Sequence, residues 1–400
     1  MGSVDWFKNA IIYHILIDRF AGFASTEKWD KPTFLGGNIK GIIEKLPYLQ
    51  NLGINILWIS PFYKTNTYHG YHITDFYQVD SHYGTSEDLK KLIKAVHKYD
   101  MRIIADFVPN HCSRKHPFFQ DARHNIKSEY GQWFYFTKWP HEYLCFLSIR
   151  DLPKLNLNYP PARDHIIDAA KHWLNLGFDG YRLDHVMGPS HTFWEQFSKE
   201  IKKEYPCAVL IGEAWMQGIK FNELRTINIR WKFLKWLFGA SSDCLLKEYI
   251  LELDGVLDFR LQELLRENIA RENTSQPKKL HKKVERHYRK YPDNYFLPTF
   301  LDNHDMNRFL FECKNDKEKL KKAATIQFSI DQPATIYYGT EIGMNQEKSM
   351  WEFHAHGDLL ARQPMKWKQQ DKELLSFYKK LIGQKRDFQD QYKHTEKMDH

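Results

Sequence analysis

Three short segments set carboxylates beside histidine or arginine, and a fourth ends an apolar run on a glutamate. They are Asp106-Phe107-Val108-Pro109-Asn110-His111, Asp179-Gly180-Tyr181-Arg182-Leu183-Asp184-His185, Leu210-Ile211-Gly212-Glu213-Ala214-Trp215 and Phe300-Leu301-Asp302-Asn303-His304-Asp305. Retaining hydrolysis of a glycosidic bond needs a carboxylate nucleophile and a protonated carboxylic acid about 5–5.5 Å away. Asp184, Glu213 and Asp305 are the candidate carboxyls. Two environments must differ so that one group stays ionised and the other holds its proton. Arg182 lies two residues before Asp184, so on a strand both side chains point to one face. Its guanidinium would keep Asp184 ionised.

Each segment closes a run of aliphatic and aromatic residues that reads as a buried parallel strand. The runs are Ala10–Ile17, Ile54–Ser60, Arg102–Val108, Gly180–Asp184, Ala208–Glu213, Gly255–Phe259, Tyr295–Asp302 and Ala334–Tyr338. Helical patterns, such as Ser86–Tyr99 and Arg163–Leu176, lie between most of them. Eight alternations predict an α/β fold, a (β/α)8 TIM barrel, whose chemistry sits at the C-terminal strand ends. The three carboxylates, with His111 and His304, would then converge on one mouth. Most strand starts are roughly 40–48 residues apart, but strands three and four are about 78 apart. The excess predicts a small inserted subdomain over 111–160, between a first barrel part (1–110) and the remainder (161–400). The last apolar helix, about Glu373–Leu381, should give way to a polar tail.

These segments, in this order, resemble the four signature regions of the α-amylase family, glycoside hydrolase family 13. Further matches are Leu152-Pro153-Lys154-Leu155-Asn156, Asp18-Arg19-Phe20, His69-Gly70-Tyr71, Tyr337-Tyr338-Gly339-Thr340-Glu341-Ile342-Gly343 and Arg362-Gln363-Pro364-Met365. The resemblance spans about residues 5–385. It implies that Asp184 is the nucleophile, Glu213 the acid/base and Asp305 the carboxylate that grips substrate hydroxyls. It implies that Arg182 orients the nucleophile, that His111 and His304 bind the sugar in subsite −1, and that Tyr71 stacks beneath it with His69 beside it. Asp106 and Asn110 would brace the region. Asn110 matches a calcium ligand of many α-amylases, but no convincing partner carboxylates stand out in the inserted segment. No other cofactor is implied.

The chain departs from the pattern at Met187 and Gly188, where many α-amylases carry a Lys-His pair that helps bind the +2 sugar. Leu-Pro-Lys-Leu-Asn resembles a form found in neopullulanases and cyclomaltodextrinases. The N- and C-terminal β-domains common in the family are not evident. His185 either shapes subsite +1 or simply packs, and Lys154 either lines the cleft or sits on a solvated face. Glu341 is expected to support the barrel. The expected activity is retaining hydrolysis of α-1,4-glucosidic bonds in starch-derived glucans or maltooligosaccharides. Cyclomaltodextrinase, neopullulanase or 4-α-glucanotransferase action on the same machinery is the alternative. A non-catalytic glucan-binding protein is the rival from another class, although such relatives typically lose a catalytic carboxylate.

Composition fits this reading. Of 400 residues, 42% are hydrophobic and 27% charged, which excludes a disordered or fibrous chain. No apolar run approaches the roughly 20 residues of a membrane span. Net charge is +8, and the one basic run, Lys278–Lys290, reads as a solvated helix face, so no nucleic-acid or membrane partner is expected. Phe, Tyr and Trp make up 15%, enough for a large core and for faces that stack on sugars. Five scattered cysteines without a CxxC, and an N-terminus without a signal segment, favour a reducing cytoplasm, with a secreted form whose signal has been removed as the alternative. Nothing bears on oligomeric state.

Overall fold

The structure is a computed structural model that describes residues 4–23, 29–216, 219–230, 232, 242–272, 277–352 and 356–396. Its strands are β1 (Ile11–Ile15), β2 (Ile56–Ile59), β3 (Tyr63–Thr65), β4 (Ile73–Val79), β5 (Arg102–Phe107), β6 (Phe136–Lys138), β7 (Glu142–Tyr143), β8 (Gly180–Leu183), β9 (Val209–Gly212), β10 (Gly255–Val256) and β11 (Ala334–Tyr337). The chain folds as two interleaved units. The first takes Ile59–Ile93 and Ile103–Leu257; the second takes Asp5–Trp58, Lys94–Arg102 and the chain from Asp258 on.

The first unit contains the parallel array β10-β9-β8-β5. The register sets Asp106 opposite Arg182 and Leu183 opposite Gly212. Strands β8 and β9 are buried along their whole length, as expected of apolar runs covered on both faces. Helix Pro160–Leu176 feeds β8. It starts on prolines, whose missing N–H costs nothing there, and stops at Gly177, whose φ of 117° is left-handed. Helix His191–Glu204 follows β8 and is capped by Ser190, whose hydroxyl accepts from the Phe193 N–H. Residues 111–160 belong to this unit. They form helix Pro117–His124, the β6–β7 hairpin, and antiparallel bridges from His111 to Lys154 and from Cys145 to Pro153.

The second unit contains the parallel array β2-β1-β11. Helix Ile39–Leu52 precedes β2, capped by Asn38 and closed by Gly53 at φ 94°. The expected Glu341 support is present: its buried carboxylate accepts from the Tyr13 and Tyr48 hydroxyls, at 2.8 and 2.7 Å. The seventh strand, expected over Tyr295–Asp302, is reduced to one parallel bridge from Thr299 to Ala334. Pro298 and Pro333 each remove an N–H from that ladder. Side chains substitute: Gln327 donates to Thr299 O, Gln262 to Leu301 O, and Gln332 accepts from the Leu297 N–H. The expected end of the last helix near Leu381 is also corrected. Helix Lys372–Glu396 runs far beyond Leu381, because that sequence holds good helix formers and no proline. Most of the basic run lies on helix Pro277–Tyr288, with Leu280, Val284 and His287 inward and Lys279, Lys282 and Lys283 exposed, as expected of a solvated face.

The antiparallel hairpin β3–β4 carries His69 and Tyr71 in its loop. Gly70 between them has φ 88°, and a Cβ there would lie 2.1 Å from Pro61 O. Gly70→Ala should therefore cost about 1–3 kcal/mol, read as a lower urea midpoint at constant slope. An unchanged midpoint would contradict this close approach.

Candidate active site

In the first unit the ends of β5, β8 and β9 are level. The Asp184 N–H donates to Phe107 O at 2.8 Å and the Glu213 N–H to Leu183 O at 2.9 Å. That register brings three carboxylates to one guanidinium. Arg182 Nη1 lies 2.7 Å from Asp106 Oδ1 and 2.9 Å from Asp184 Oδ1, and Nη2 meets Glu213 Oε1. Arg182 is 1% exposed, Asp184 6% and Glu213 8%. Burial works against the guanidinium's charge, but Asp106 and then Glu213, Tyr71 and Asp184 outweigh it and raise its pKa. The sequence placed Arg182 against Asp184 alone; it is shared among all three acids. Asp106 is the brace it was expected to be, and it also accepts from the Tyr71 hydroxyl at 2.8 Å. His69 accepts the Tyr71 N–H at 3.2 Å and so sets that ring's backbone.

The residue after Asp184 is strained. His185 has φ 45°, a left-handed conformation uncommon for a residue with a Cβ and frequent at functional sites. The kink lets Val186 N–H return to Glu213 O at 3.0 Å. Burial first, then the charges of Lys154 and Arg182, push the His185 imidazole down to about 3. Burial and the neighbouring His185, His72 and Lys154 hold His111 well below the usual histidine range. Nε2 of each ring is buried without a hydrogen-bond partner among the described residues. Phe146, half-buried, packs on both, with ring centroids 4.8 Å from His111 and 4.7 Å from His185. It sits on a tight turn with Leu147 at φ 42° and Ser148 at φ 65°. No spacing signal in the sequence marks Phe146.

Lys154 is buried, 4% exposed, and not on a solvated face. Its Nζ donates to Asn110 Oδ1 at 3.3 Å, to Thr226 O at 2.6 Å and to Gly188 O. Burial, with the charge of Lys232 after it, pushes the ammonium down to about 7. The three oxygens act the other way, since only the ammonium can donate to all of them. The implied calcium does not fit here, because the Asn110 oxygen already faces a cation. Among the described residues no cluster of three His, Cys, Asp or Glu could hold a metal.

The second unit holds the other expected residues. His304 Nε2 lies 2.9 Å from Asp305 Oδ2. Arg362 donates to Asp305 Oδ1 at 2.8 Å, to His304 O at 2.8 Å and to Asp358 at 2.6 Å, which gives the Arg-Gln-Pro-Met motif a physical role. His14 stacks on Trp58 at 3.7 Å and meets the His304 ring edge-on at 5.0 Å. The sequence reading passed over His14. Its signal was a polar residue inside the apolar run of β1.

The family profile "Alpha amylase, catalytic domain" matches residues 14–142 and 241–399. The chain is 37% identical to Alpha-amylase 2 of Dictyoglomus thermophilum over 98% of its own length and 65% of that protein's. The chain belongs to the alpha-amylase family. It is also 30% identical to a cyclomaltodextrinase of Bacillus sp, over 94% of the chain and 65% of the relative. It thus spans about 65% of the length of these curated relatives. The cyclic alpha-maltosyl-(1→6)-maltose hydrolase from Arthrobacter globiformis superposes with a TM-score of 0.80 at 25% identity, covering 96% of this chain and 84% of that one. The family's fold is a (β/α)8 barrel, the class read from the strand spacing.

The buried imidazoles make an acid-sensitive first unit. Burial lowers the pKa of His72, His111, His116, His165 and His185, with His116 and His185 down to about 3. Between about 3 and the ordinary histidine value near 6.5, the unfolded chain binds protons that the folded chain refuses. Stability should therefore fall as pH drops below about 6.5, by roughly 1.4 kcal/mol per pH unit for each fully neutral imidazole. Urea midpoints at pH 8, 7, 6 and 5 check this; a flat profile from 7 to 5 would refute it.

Proposed function

We propose that the chain is the catalytic part of a retaining hydrolase of α-1,4-glucosidic bonds, acting on starch-derived maltooligosaccharides and dextrins. The observation that carries the reading is the single buried guanidinium of Arg182 holding both Asp184 and Glu213. Carboxyls on two nitrogens of one guanidinium form a close pair. This favours the roughly 5–5.5 Å separation of retaining enzymes over the wider gap of inverting ones. One cation among three acids leaves an excess of negative charge that one proton relieves. In this reading Glu213 carries it and gives it to the leaving oxygen while Asp184 attacks the anomeric carbon. Glu213, now a carboxylate, then takes a proton from water, which releases the sugar from Asp184 with its α-configuration kept. Within the first unit His111 bonds sugar hydroxyls and Tyr71 stacks under the ring; His304 and Asp305 keep the hydroxyl-binding roles that the family resemblance implies for them. Residues 111–160 are the inserted subdomain. The buried free thiols Cys112, Cys145 and Cys313 support a cytoplasmic setting, and no described helix is long and apolar enough to cross a membrane.

A specific observation favours short substrates within this class. Met187 is fully buried, and a Cβ on Gly188 would lie 1.9 Å from Asn110 Oδ1. Neither position can present a cation or ring to a +2 sugar. Phe146 offers instead an apolar face beside His185. Less binding energy on the plus side means shorter leaving groups, at about 1 kcal/mol per lost hydrogen bond.

The test is a product profile on maltotriose to maltoheptaose, cyclodextrins, pullulan and amylose, with the product anomer followed by NMR. Small α-products from the start are expected, and Asp184→Asn should cut turnover by several orders of magnitude. Glu213→Gln should keep more rate on activated aryl glycosides than on maltooligosaccharides. A β-product, or an Asp184→Asn variant of native rate, would overturn the mechanism. A kcat/KM that climbs steadily to amylose would overturn the short-substrate reading alone.

A further inference from the structure

The oxygen cage around Lys154 belongs to no step of this mechanism. Its acceptors come from three separate stretches of chain: the Asn110 side chain at the end of β5, the Gly188 carbonyl after Asp184, and the Thr226 carbonyl beyond β9. Lys154 itself sits in the 111–160 segment, bridged to His111, with its own N–H on Leu144 O and the next N–H, of Leu155, on Asn110 O. Two of the acceptors are tightly packed. The Asn228 amide donates to the same Gly188 carbonyl at 2.5 Å, and no Cβ fits at 188 without displacing Asn110.

We propose that Lys154 is a covalently tethered cation that takes the place of a bound calcium ion at Asn110 and organises the catalytic strand ends without metal. Calcium asks for six to eight oxygens at about 2.3–2.6 Å, with carboxylates among them. Here all three oxygens are neutral, and an ammonium has the three N–H donors to satisfy them. A divalent ion at the same oxygens would stand against the ammonium that these oxygens hold, with no carboxylate among its hydrogen-bond partners to offset it. Lys154 is a positioning residue. Through Asn110 it fixes the turn that carries His111, and through Gly188 it fixes the loop that follows Asp184 and the kinked His185.

The test uses the purified chain and readouts that do not depend on the substrate. For the wild type, thermal midpoints with excess EDTA and with millimolar calcium chloride should coincide, and calorimetric titration with calcium should show no binding. An EDTA-induced fall in the wild-type midpoint would overturn the proposal, whatever the variants do. Lys154→Met keeps the stem but takes the ammonium from the Asn110 and Thr226 oxygens, while Gly188 O keeps the Asn228 amide, so its midpoint should fall by several degrees, and calcium should not restore it. Lys154→Glu places a carboxylate in the cage, so it should bind calcium and regain stability on adding it. A Lys154→Met midpoint equal to wild type, or a folded Lys154→Glu indifferent to calcium, would also overturn it. Should either variant fail to fold, the wild-type arm decides alone.

Discussion

Everything chemical in the first unit hangs on one buried guanidinium. Arg182 is placed by β8, and the parallel register to β5 and β9 decides what it can reach. Slip either pairing by one residue and Asp106 or Glu213 turns to the opposite face. The buried ion network is not there for stability, because desolvating four charged groups costs about as much as their attraction returns. What it supplies is position: two carboxyls fixed on rigid strand ends before any substrate arrives. Removing the guanidinium would leave uncompensated buried acids, a loss of about 3–5 kcal/mol, which makes Arg182 a folding residue as well as an orienting one.

The second unit repeats the device on a smaller scale. Arg362 reaches Asp305, Asp358 and the His304 carbonyl at once. Asp305 is about a third exposed on its side chain, whereas Asp184 is nearly buried. The difference suits the proposed roles. A group that grips hydroxyls must meet them in partly wet surroundings, whereas an attacking carboxylate gains nucleophilic strength where water is excluded.

Much of this was legible in sequence because the chemistry sits at strand ends, and strand ends are marked by abrupt changes from apolar runs to polar residues. Asp184, Glu213 and Arg182 could be read in that way. Strand seven misled because an apolar run does not report whether its N–H groups can pair, and Pro298 with Pro333 breaks the ladder. The end of the last helix misled because polarity was read as absence of structure, although the residues are good helix formers. Phe146 was illegible. Its relevance comes from a turn with two left-handed residues that folds it back over His111 and His185, and neither residue type announces that conformation. The sharing of Arg182 among three acids was also out of reach, since cross-strand register is not written in any one strand.

Lys154 shows the limit most clearly. On a sequence, a lysine between Pro153 and Leu155 is a solvated cation or a cleft residue, because an isolated ammonium is too costly to bury. The burial becomes affordable only when three carbonyl-type oxygens converge from distant stretches of chain, and that convergence depends on Gly188 having no side chain. A side chain at 188 would push Asn110 away and empty the cage; glycine at 188 lets the cage close around a lysine. Under the roles proposed for this loop and for Lys154, the glycine that presents no side chain to a +2 sugar is also what leaves room for the Lys154 ammonium beside Asn110.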